Sequence, residues 1–505
     1  MSKKHTYVTT TLPYVNSDPH VGFALEIVQA DIFARYCAIR DGAENVFFNT
    51  GTDEHGVKVY RKAEELGRPT QEYVDENAEK FRKLKVALNL LPNIHFVRTS
   101  DPHHKAAAQE FWRRCAMPKS DQGDKCDDAR SDIYKKNYRI KYCIGCELEK
   151  TDSELRDGKC PIHPNLPIEI IEEENYFFRF SRYQKQLLEL YAKYHDFVVP
   201  NYRFNEIRAF VERGLEDFSI SRLKSKMPWG VEVPGDSTQV MYVWFDALVS
   251  YISTLGWPES EKTTEFATWW GTAKAPNALQ FAGKDNLRQQ SAMWQAMLMS
   301  AGLPPSHQIV IHGFIHSDGQ KMSKSLGNVI DPFAIVAEYG TDALRYYLAR
   351  EIHPFEDSDF TMEKFKAAYN ANLANGIGNL VSRLLKLTSG YQIKGTFSSP
   401  QDIWKDKNIS IYRDFLENYE LNKAADYIWL LISNVDQTIQ KNQPFKKLKD
   451  PLRKEEGIRE TLKLLSDLWQ IAILLEPILP ETSMTIRRLI TDNKMPEKPL
   501  FTRLT

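Results

Sequence analysis

An α/β architecture is predicted, with a parallel sheet at its centre, an inserted module in the middle and an all-α bundle at the C-terminal end. Three observations predict it. The N-terminal stretch runs strand, helix, strand. Strand-like runs return well down the chain, after a long polar and cysteine-bearing interval. From about Thr361 onward the apolar residues fall at helical spacing.

The first strand is "HTYVTTTLPYV" (5–15), rich in β-branched and aromatic residues. It turns at "NSDPH" into a helix, "GFALEIVQADIFARYCAIRDG", that stops at Gly42. A second strand, "NVFFNTGTDEHG" (45–56), ends in another polar turn. Strand, helix, strand implies a parallel βαβ unit, and such units bind ligands at the carboxyl ends of their strands. Both "SDPHVG" and "GTDEHG" fall at such ends. Residues 115–137 are polar and irregular and read as a surface insertion. The runs "TQVMYVWFDAL" (238–248), "ALQFAGKD" (278–285) and "QIVIHGFI" (308–315) read as the second half of the sheet. Near the C-terminus, Ile458, Leu462, Leu465, Trp469 and Ala472 recur at three- and four-residue steps and define one apolar helix face. The expected divisions are 1–114 for the first half of the sheet domain, 115–235 for the insertion, 236–360 for the second half and 361–505 for the bundle.

The bulk composition excludes several classes. At 505 residues the chain exceeds one ordinary core. With 42% hydrophobic and 26% charged residues it has a globular composition. The net charge is −1, so contact with nucleic acid must come from local basic patches. No apolar run reaches membrane-spanning length. The opening "MSKKHTYVTTTLPYV" has charge but no apolar core of a secretion signal. Six cysteines make no disulfide framework and fit a reducing cytoplasm.

Four of the potential metal ligands fall in "YCIGCELEKTDSELRDGKCPIHP". Cys143 and Cys146 form one close pair, and Cys160 and His163 form another. Two pairs at this spacing match a tetrahedral zinc knuckle. Four protein donors leave no open position, so the zinc is expected to be structural. Cys37 and Cys115 sit in helical patterns and read as core thiols, while Cys126 has no assignment.

A second constellation concerns phosphate. His20 and Gly22 stand where a strand turns into a helix, a place where backbone N–H groups favour an anion. Lys321 and Lys324 lie in "KMSKS", a loop flanked by Gly319 and Gly327. Attack at an α-phosphate gathers negative charge, and cations on a movable loop can engage it at that moment.

"PHVGF" followed by "KMSKS" resembles the two signatures of class I aminoacyl-tRNA synthetases. "TTTLPYVNSDPHVG", "TGTDEHG", "YVWFDAL", "GKD" and "DALRYYL" (342–348) resemble the methionyl-tRNA synthetases over nearly the whole chain. The short interval between "TGTDEHG" and "YVWFDAL", which includes the zinc segment, leaves little room for a separate editing domain. The resemblance implies a Rossmann-type catalytic domain, a zinc-bearing connective insertion and a C-terminal anticodon-binding bundle. It implies ATP-dependent activation of methionine, with Mg²⁺ accompanying the ATP, and transfer to tRNA(Met) by a cytoplasmic monomer. His20 and Gly22 would contact ATP, with Lys321 and Lys324 stabilising the transition state. Asp53 would bind the methionine ammonium. Leu12, Tyr14, Trp244, Ala247, Tyr251 and Gln290 would line the pocket for its side chain. Asp285 would hold the ribose, and His312, Gly313 and Ile315 would lie near the adenine. Asn375, Asn379 and Arg383, spaced four residues apart on one helix face, would read the anticodon. Phe445 would stack a base, and Lys446, Lys447 and Lys449 would meet phosphates.

Three positions depart from the family pattern. Phe23 replaces a histidine at the end of the first signature and cannot hydrogen-bond a phosphate. The stretch "GKDNLRQQ" puts Asn286, Gln289 and Gln290 where the family has apolar residues and a Phe-His pair. Phe445 replaces a tryptophan. Two other readings follow from these departures: a class I synthetase for another small apolar amino acid, and a synthetase-like RNA-binding protein impaired in adenylation.

Overall fold

The structure, a computed structural model, describes residues 4–118, 131–146, 148–150, 152–322 and 328–504. Lys324, Gly327, Cys126 and most of the 115–137 insertion lie outside the described residues, as does the side chain of Lys321. A six-stranded parallel sheet forms the centre. Its order is His95–Arg98, Val46–Thr52, Thr6–Thr10, Ala278–Gly283, Gln308–His312 and Val198–Val199. Thr6–Thr10 is buried at every position, as suits a β-branched strand covered on both faces. The chain builds outward from that strand in one direction and returns on its other side. The reversal places a crevice at the carboxyl ends of Thr6–Thr10 and Ala278–Gly283, where open α/β sheets bind their ligands.

The inserted region forms its own antiparallel sheet, ordered Leu148–Lys150, Ile133–Cys143, Ile168–Phe178 and Phe218–Ser219. Residues inside the interval expected for the insertion also serve the main sheet. Val198–Val199 pairs with Ile309 and Val310 as the edge strand. Two residues are too few to show an alternating pattern, so this strand leaves no signature in the sequence.

Two other expectations are corrected. "TQVMYVWFDAL" is not a strand of the parallel sheet. Asp236–Met241 pairs antiparallel with Ser221–Leu223, and the chain then turns into the short helix Val243–Ala247. "QIVIHGFI" divides into Gln308–His312 of the main sheet and Ile315–Ser317, which joins a separate three-stranded sheet with Gln320–Lys321 and Ser358–Asp359.

The C-terminal region is helical, as expected, from Met362–Ala368 through Leu421–Asn442 and Lys454–Leu474 to Pro480–Asp492. On Lys454–Leu474 the fully buried stripe runs through Gly457, Thr461, Leu464, Leu465, Leu468, Ile471 and Ala472. Ile458, Leu462 and Trp469 lie at its margin. The cause is a close approach at Gly457. A Cβ there would come within 2.9 Å of the Leu448 nitrogen, so the helix turns its smallest residue toward the neighbouring segment.

Arg345, in the "DALRYYL" motif, joins the bundle to the sheet domain. Its guanidinium is fully buried and lies 2.8 Å from Asp31 on the helix Val21–Asp41. It also donates to the carbonyls of Leu88, Pro477 and Ile478, at 3.0, 2.9 and 2.9 Å. Asp31 accepts from the Leu91 N–H and pairs with Arg35, both at 2.7 Å. Burial lowers the Arg345 pKa, and the Asp31 charge works against that shift. Arg345→Met is therefore expected to lower stability by about 3–5 kcal/mol, because it takes one of its two arginines from the buried Asp31 carboxylate and the guanidinium donor from three carbonyls. Urea denaturation followed by tryptophan fluorescence reads this loss. Adding Asp31→Asn to the same chain should recover part of it.

Candidate active site and metal centre

The crevice begins at His20, the N-cap of the helix Val21–Asp41. Its Nδ1 accepts from the Gly22 N–H at 3.0 Å. A Cβ on Gly22 would lie 2.7 Å from the imidazole, so only glycine lets the ring fold over the first turn. Phe23 stacks on that ring, with centroids 4.2 Å apart, and meets Phe81 edge-on. The phenyl ring at this departure thus orients His20.

The two phosphate motifs meet in space. The Met322 methyl lies 3.8 Å from the Cβ position of Gly22, and the Val21 N–H donates to the Ile330 carbonyl at 3.0 Å. Both flanks of 323–327 are therefore tied to the start of this helix, although Lys324 itself lies outside the described residues.

Asp53 follows the strand Val46–Thr52. Its N–H donates to the Pro13 carbonyl at 2.9 Å, and its own carbonyl accepts from Val15 at 3.3 Å. This ladder sets Asp53 beside Tyr14, with Leu12 just before them. His55 then reaches Asp246, Nδ1 to Oδ2 at 2.9 Å in the interior. That pair fastens the helix Val243–Ala247, with Trp244 and Ala247, to the turn that carries Asp53. The buried Tyr251 hydroxyl accepts from Gln290 at 2.6 Å. Its pKa is raised, first by burial and further by the Glu26 and Asp53 charges.

Gly283 and His312 pair across adjacent strands, and exposed Asp285 follows Gly283. Ile315 is buried just beyond His312. Sequence reasoning passed over Glu26. It is a buried carboxylate whose Oε1 accepts from the Thr11 N–H at 2.7 Å and hydroxyl at 2.6 Å. Its Oε2 lies 2.9 Å from His312 Nε2, while His312 Nδ1 lies 2.7 Å from the Gly313 carbonyl. Both ring nitrogens thus face oxygens, an arrangement that favours the imidazolium, in which both donate. Burial opposes the charged ring, but the Glu26 hydrogen bond and charge outweigh it and raise the His312 pKa. The available signal was an acidic residue inside an apolar helix, shortly after His20 and Gly22.

The four knuckle residues also converge. The donor atoms of Cys143, Cys146, Cys160 and His163 all lie within 4.8 Å of one another. Cys146 Sγ is 3.5 Å from Cys160 Sγ and 3.3 Å from His163 Nδ1, and Cys143 Sγ is 3.9 Å from the same nitrogen. A tetrahedral ion with bonds near 2.3 Å to sulfur needs donor separations of about 3.8 Å, which these approach. The group can hold a metal ion. Lys58 donates to the Gly145 carbonyl at 2.9 Å and ties this turn to the helix that follows Asp53. Cys37 and Cys115 are buried apart from it.

On the bundle, Asn375 and Asn379 are exposed and Arg383 is half-buried. They do not share one regular helix. Gly376 has a non-helical backbone between the first two, and the helix Asn379–Gly390 starts afresh after it. Arg383 pairs with Asp436 at 2.7 Å. Phe445 is 37% exposed, enough to offer a ring edge or face to a partner. Lys447 is not available for phosphates, because Glu456 and Glu460 hold it at 2.7 and 2.6 Å.

The Glu26–His312 pair makes a pH-dependent contribution. A raised histidine pKa stabilises the fold fully below the ordinary value of 6.5 and ceases to do so as pH rises through the folded value. The difference in melting temperature between the parent and Glu26→Gln is expected to be largest at and below about pH 6.5 and to shrink above it. A thermal melt series from pH 5.5 to about 9 checks this.

Comparison with known proteins fits this geometry. The family model described as "tRNA synthetases class I (M)" matches residues 6–385. A methionine--tRNA ligase of Thermosynechococcus vestitus is 46% identical over 390 residues, covering 77% of this chain and 70% of that protein. One from Thermotoga maritima is 38% identical, covering 97% of this chain and 76% of its own. The Mycobacterium tuberculosis methionyl-tRNA synthetase, solved in complex with methionyl-adenylate, superposes with a TM-score of 0.86 at 34% identity and covers 96% of this chain and 94% of that one. Shared sequence and shared fold along nearly the whole length place this chain in the family of class I methionyl-tRNA synthetases.

Proposed function

We propose that the crevice at the carboxyl ends of Thr6–Thr10 and Ala278–Gly283 is where this ligase activates methionine. The observation that carries the reading is the convergence of Met322 and Ile330 on the helix start at Val21 and Gly22. A methionine carboxylate oxygen attacks the α-phosphorus of ATP, and the bond to pyrophosphate breaks. A hydroxyl of the terminal tRNA ribose then attacks the carbonyl carbon, and AMP leaves. No nucleophilic side chain is needed, so positioning and electrostatics carry the rate.

In this proposal Asp53 binds the ammonium group. Leu12, Tyr14, Trp244, Ala247, Tyr251 and Gln290 surround the side chain. His20 and Gly22 meet the phosphates, Asp285 the ribose, and His312, Gly313 and Ile315 the adenine side. Lys321 and Lys324 meet the charge that builds at the α-phosphate. Mg²⁺ enters with ATP as part of the substrate. Zn²⁺ is the ion for Cys143, Cys146, Cys160 and His163, holding the insertion against the core. Asn375, Asn379, Arg383 and Phe445 face the anticodon, with Arg383 first released from Asp436. The proposal includes a monomer working in the cytoplasm. No helix among the described residues is long and apolar enough to cross a membrane. The divisions at 114, 235 and 360 belong to the same proposal.

Amino-acid-dependent pyrophosphate exchange tests the site. Methionine is expected to support it best among the protein amino acids. Lys324→Ala should lower the adenylation rate by roughly 10²–10³-fold with little change in the KM for methionine or ATP. A raised KM at unchanged rate would make the lysine a ground-state anchor instead. Metal analysis should find close to one zinc per chain. Cys146→Ser should abolish it and make residues 131–183 the first region cut by protease.

A further inference from the structure

The turn "GTDEHG" sets two acids side by side, and the fold commits them to different neighbours. The Asp53 backbone pairs with Pro13 and Val15, beside the first strand. The fully buried Glu54 turns the other way, toward the end of the strand His95–Arg98. Gly51 permits that approach. A Cβ there would lie 1.9 Å from the Val97 carbonyl oxygen, so only glycine lets the two strand ends close on each other.

The Glu54 carboxylate is saturated. Arg98 Nε and Nη2 donate to its Oε1 and Oε2 at 2.7 and 2.8 Å, a bidentate pair. Thr52 Oγ1 donates to Oε1 at 2.7 Å, and the Ser100 hydroxyl donates to Oε2. A carboxylate has about four acceptor sites, and these donors fill them. Glu54 therefore has no site to offer an amine. Its backbone is committed as well. The Glu54 N–H donates to Thr99 Oγ1 at 2.9 Å, and its carbonyl accepts from Trp229 Nε1 at 2.6 Å. Arg98 reaches on to Asp75, on the helix Thr70–Ala87, so the fork is itself held from a second side. Asp53 precedes Glu54 by one peptide bond, and its position follows from where these contacts hold that peptide.

We propose that the Arg98–Glu54 pair is a clamp that fixes Asp53 in place for the substrate ammonium and withdraws the neighbouring acid from competition for it. Arg98, Glu54 and Ser100 are positioning residues, with no contact to the substrate required. The inference rests on the proposed placement of the ammonium at Asp53, and the test separates the two.

Loss of Arg98 alone would mix two effects of opposite sign. The geometry would slacken, while an uncompensated Glu54 charge would attract the ammonium. The informative variant removes both partners, Glu54→Leu with Arg98→Met. It leaves the net charge unchanged, and replacing a buried ion pair by apolar residues is often neutral for folding. The probes are methionine and methylthiobutanoate, which is methionine without its amino group. The readout is the Kd of methylthiobutanoate divided by that of methionine, from isothermal titration calorimetry, which loss of folded protein does not move. Asp53→Asn is expected to lower this ratio about tenfold or more, the worth of a hydrogen bond to a charged group. The double variant should lower it about fivefold through misplacement of Asp53. Ser100→Ala should lower it about twofold. Arg98→Lys keeps the charge but not the fork, and should fall between these two. An unchanged ratio in Asp53→Asn would overturn the placement of the ammonium. A lowered ratio in Asp53→Asn, with unchanged or raised ratios in the double variant, Arg98→Lys and Ser100→Ala, would overturn the clamp and leave the placement standing.

Discussion

The helix Val21–Asp41 is the rod on which the molecule is assembled, and its buried charges are what it grips with. It is buried along almost its whole length, so each polar group on it must find a partner inside the protein. Asp31 finds Arg345, which in turn holds the carbonyls at the bend between the last two long helices of the bundle. Glu26 finds Thr11 and His312, from the ends of two strands of the sheet. His20 caps its start, beside the two flanks of the lysine loop. Unpaired, either carboxylate would be costly in this interior. The need to satisfy them therefore places the bundle, the sheet and the phosphate corner relative to one another.

The inserted module obeys a similar logic at a smaller scale. Among the described residues its own apolar cluster is Tyr142 and Phe177, with Tyr134 and Ile144 against them, while Ile133 and Phe178 at the other end of the sheet belong to the main core. So small a core needs another restraint, and four converging thiol and imidazole donors supply the means. Lys58 then carries that restraint into the helix that follows Asp53. Order in the knuckle and order at the proposed ammonium site are in this way connected through one short segment.

Two of the departures from the family pattern, Phe23 and Gln290, find compensating contacts. Phe23 gives up a hydrogen-bond donor but stacks on His20 and orients it. Gln290 stands in place of a ring, and its side chain pairs with Gln280 and the Tyr251 hydroxyl while its carbonyl accepts from Gln295. Gln289, in the same stretch as Gln290, is buried too, and its Oε1 has no hydrogen-bond partner among the described residues.

By itself the sequence determined the chemistry that short spacing can carry. Cys143 and Cys146, Cys160 and His163 are close enough along the chain to share an ion in almost any turn. His20 and Gly22 mark a helix start wherever that helix lies. The β-branched run at Thr6–Thr10 and the helical period after Thr361 are likewise local properties, and they predicted the fold class. Only the tertiary structure decided what depends on distant residues. Glu26 and His312 are 286 residues apart, so nothing local marks them as a pair. The edge strand Val198–Val199 is too short to have a period and exists because Ile309 and Val310 present it an open ladder. "YVWFDAL" has the composition of a strand, but Asp246 meets His55 and the segment becomes a helix. The direction of the buried Gln295 amide, finally, was set by the backbone N–H of Ser306, a donor that no reading of side chains along the chain could have oriented.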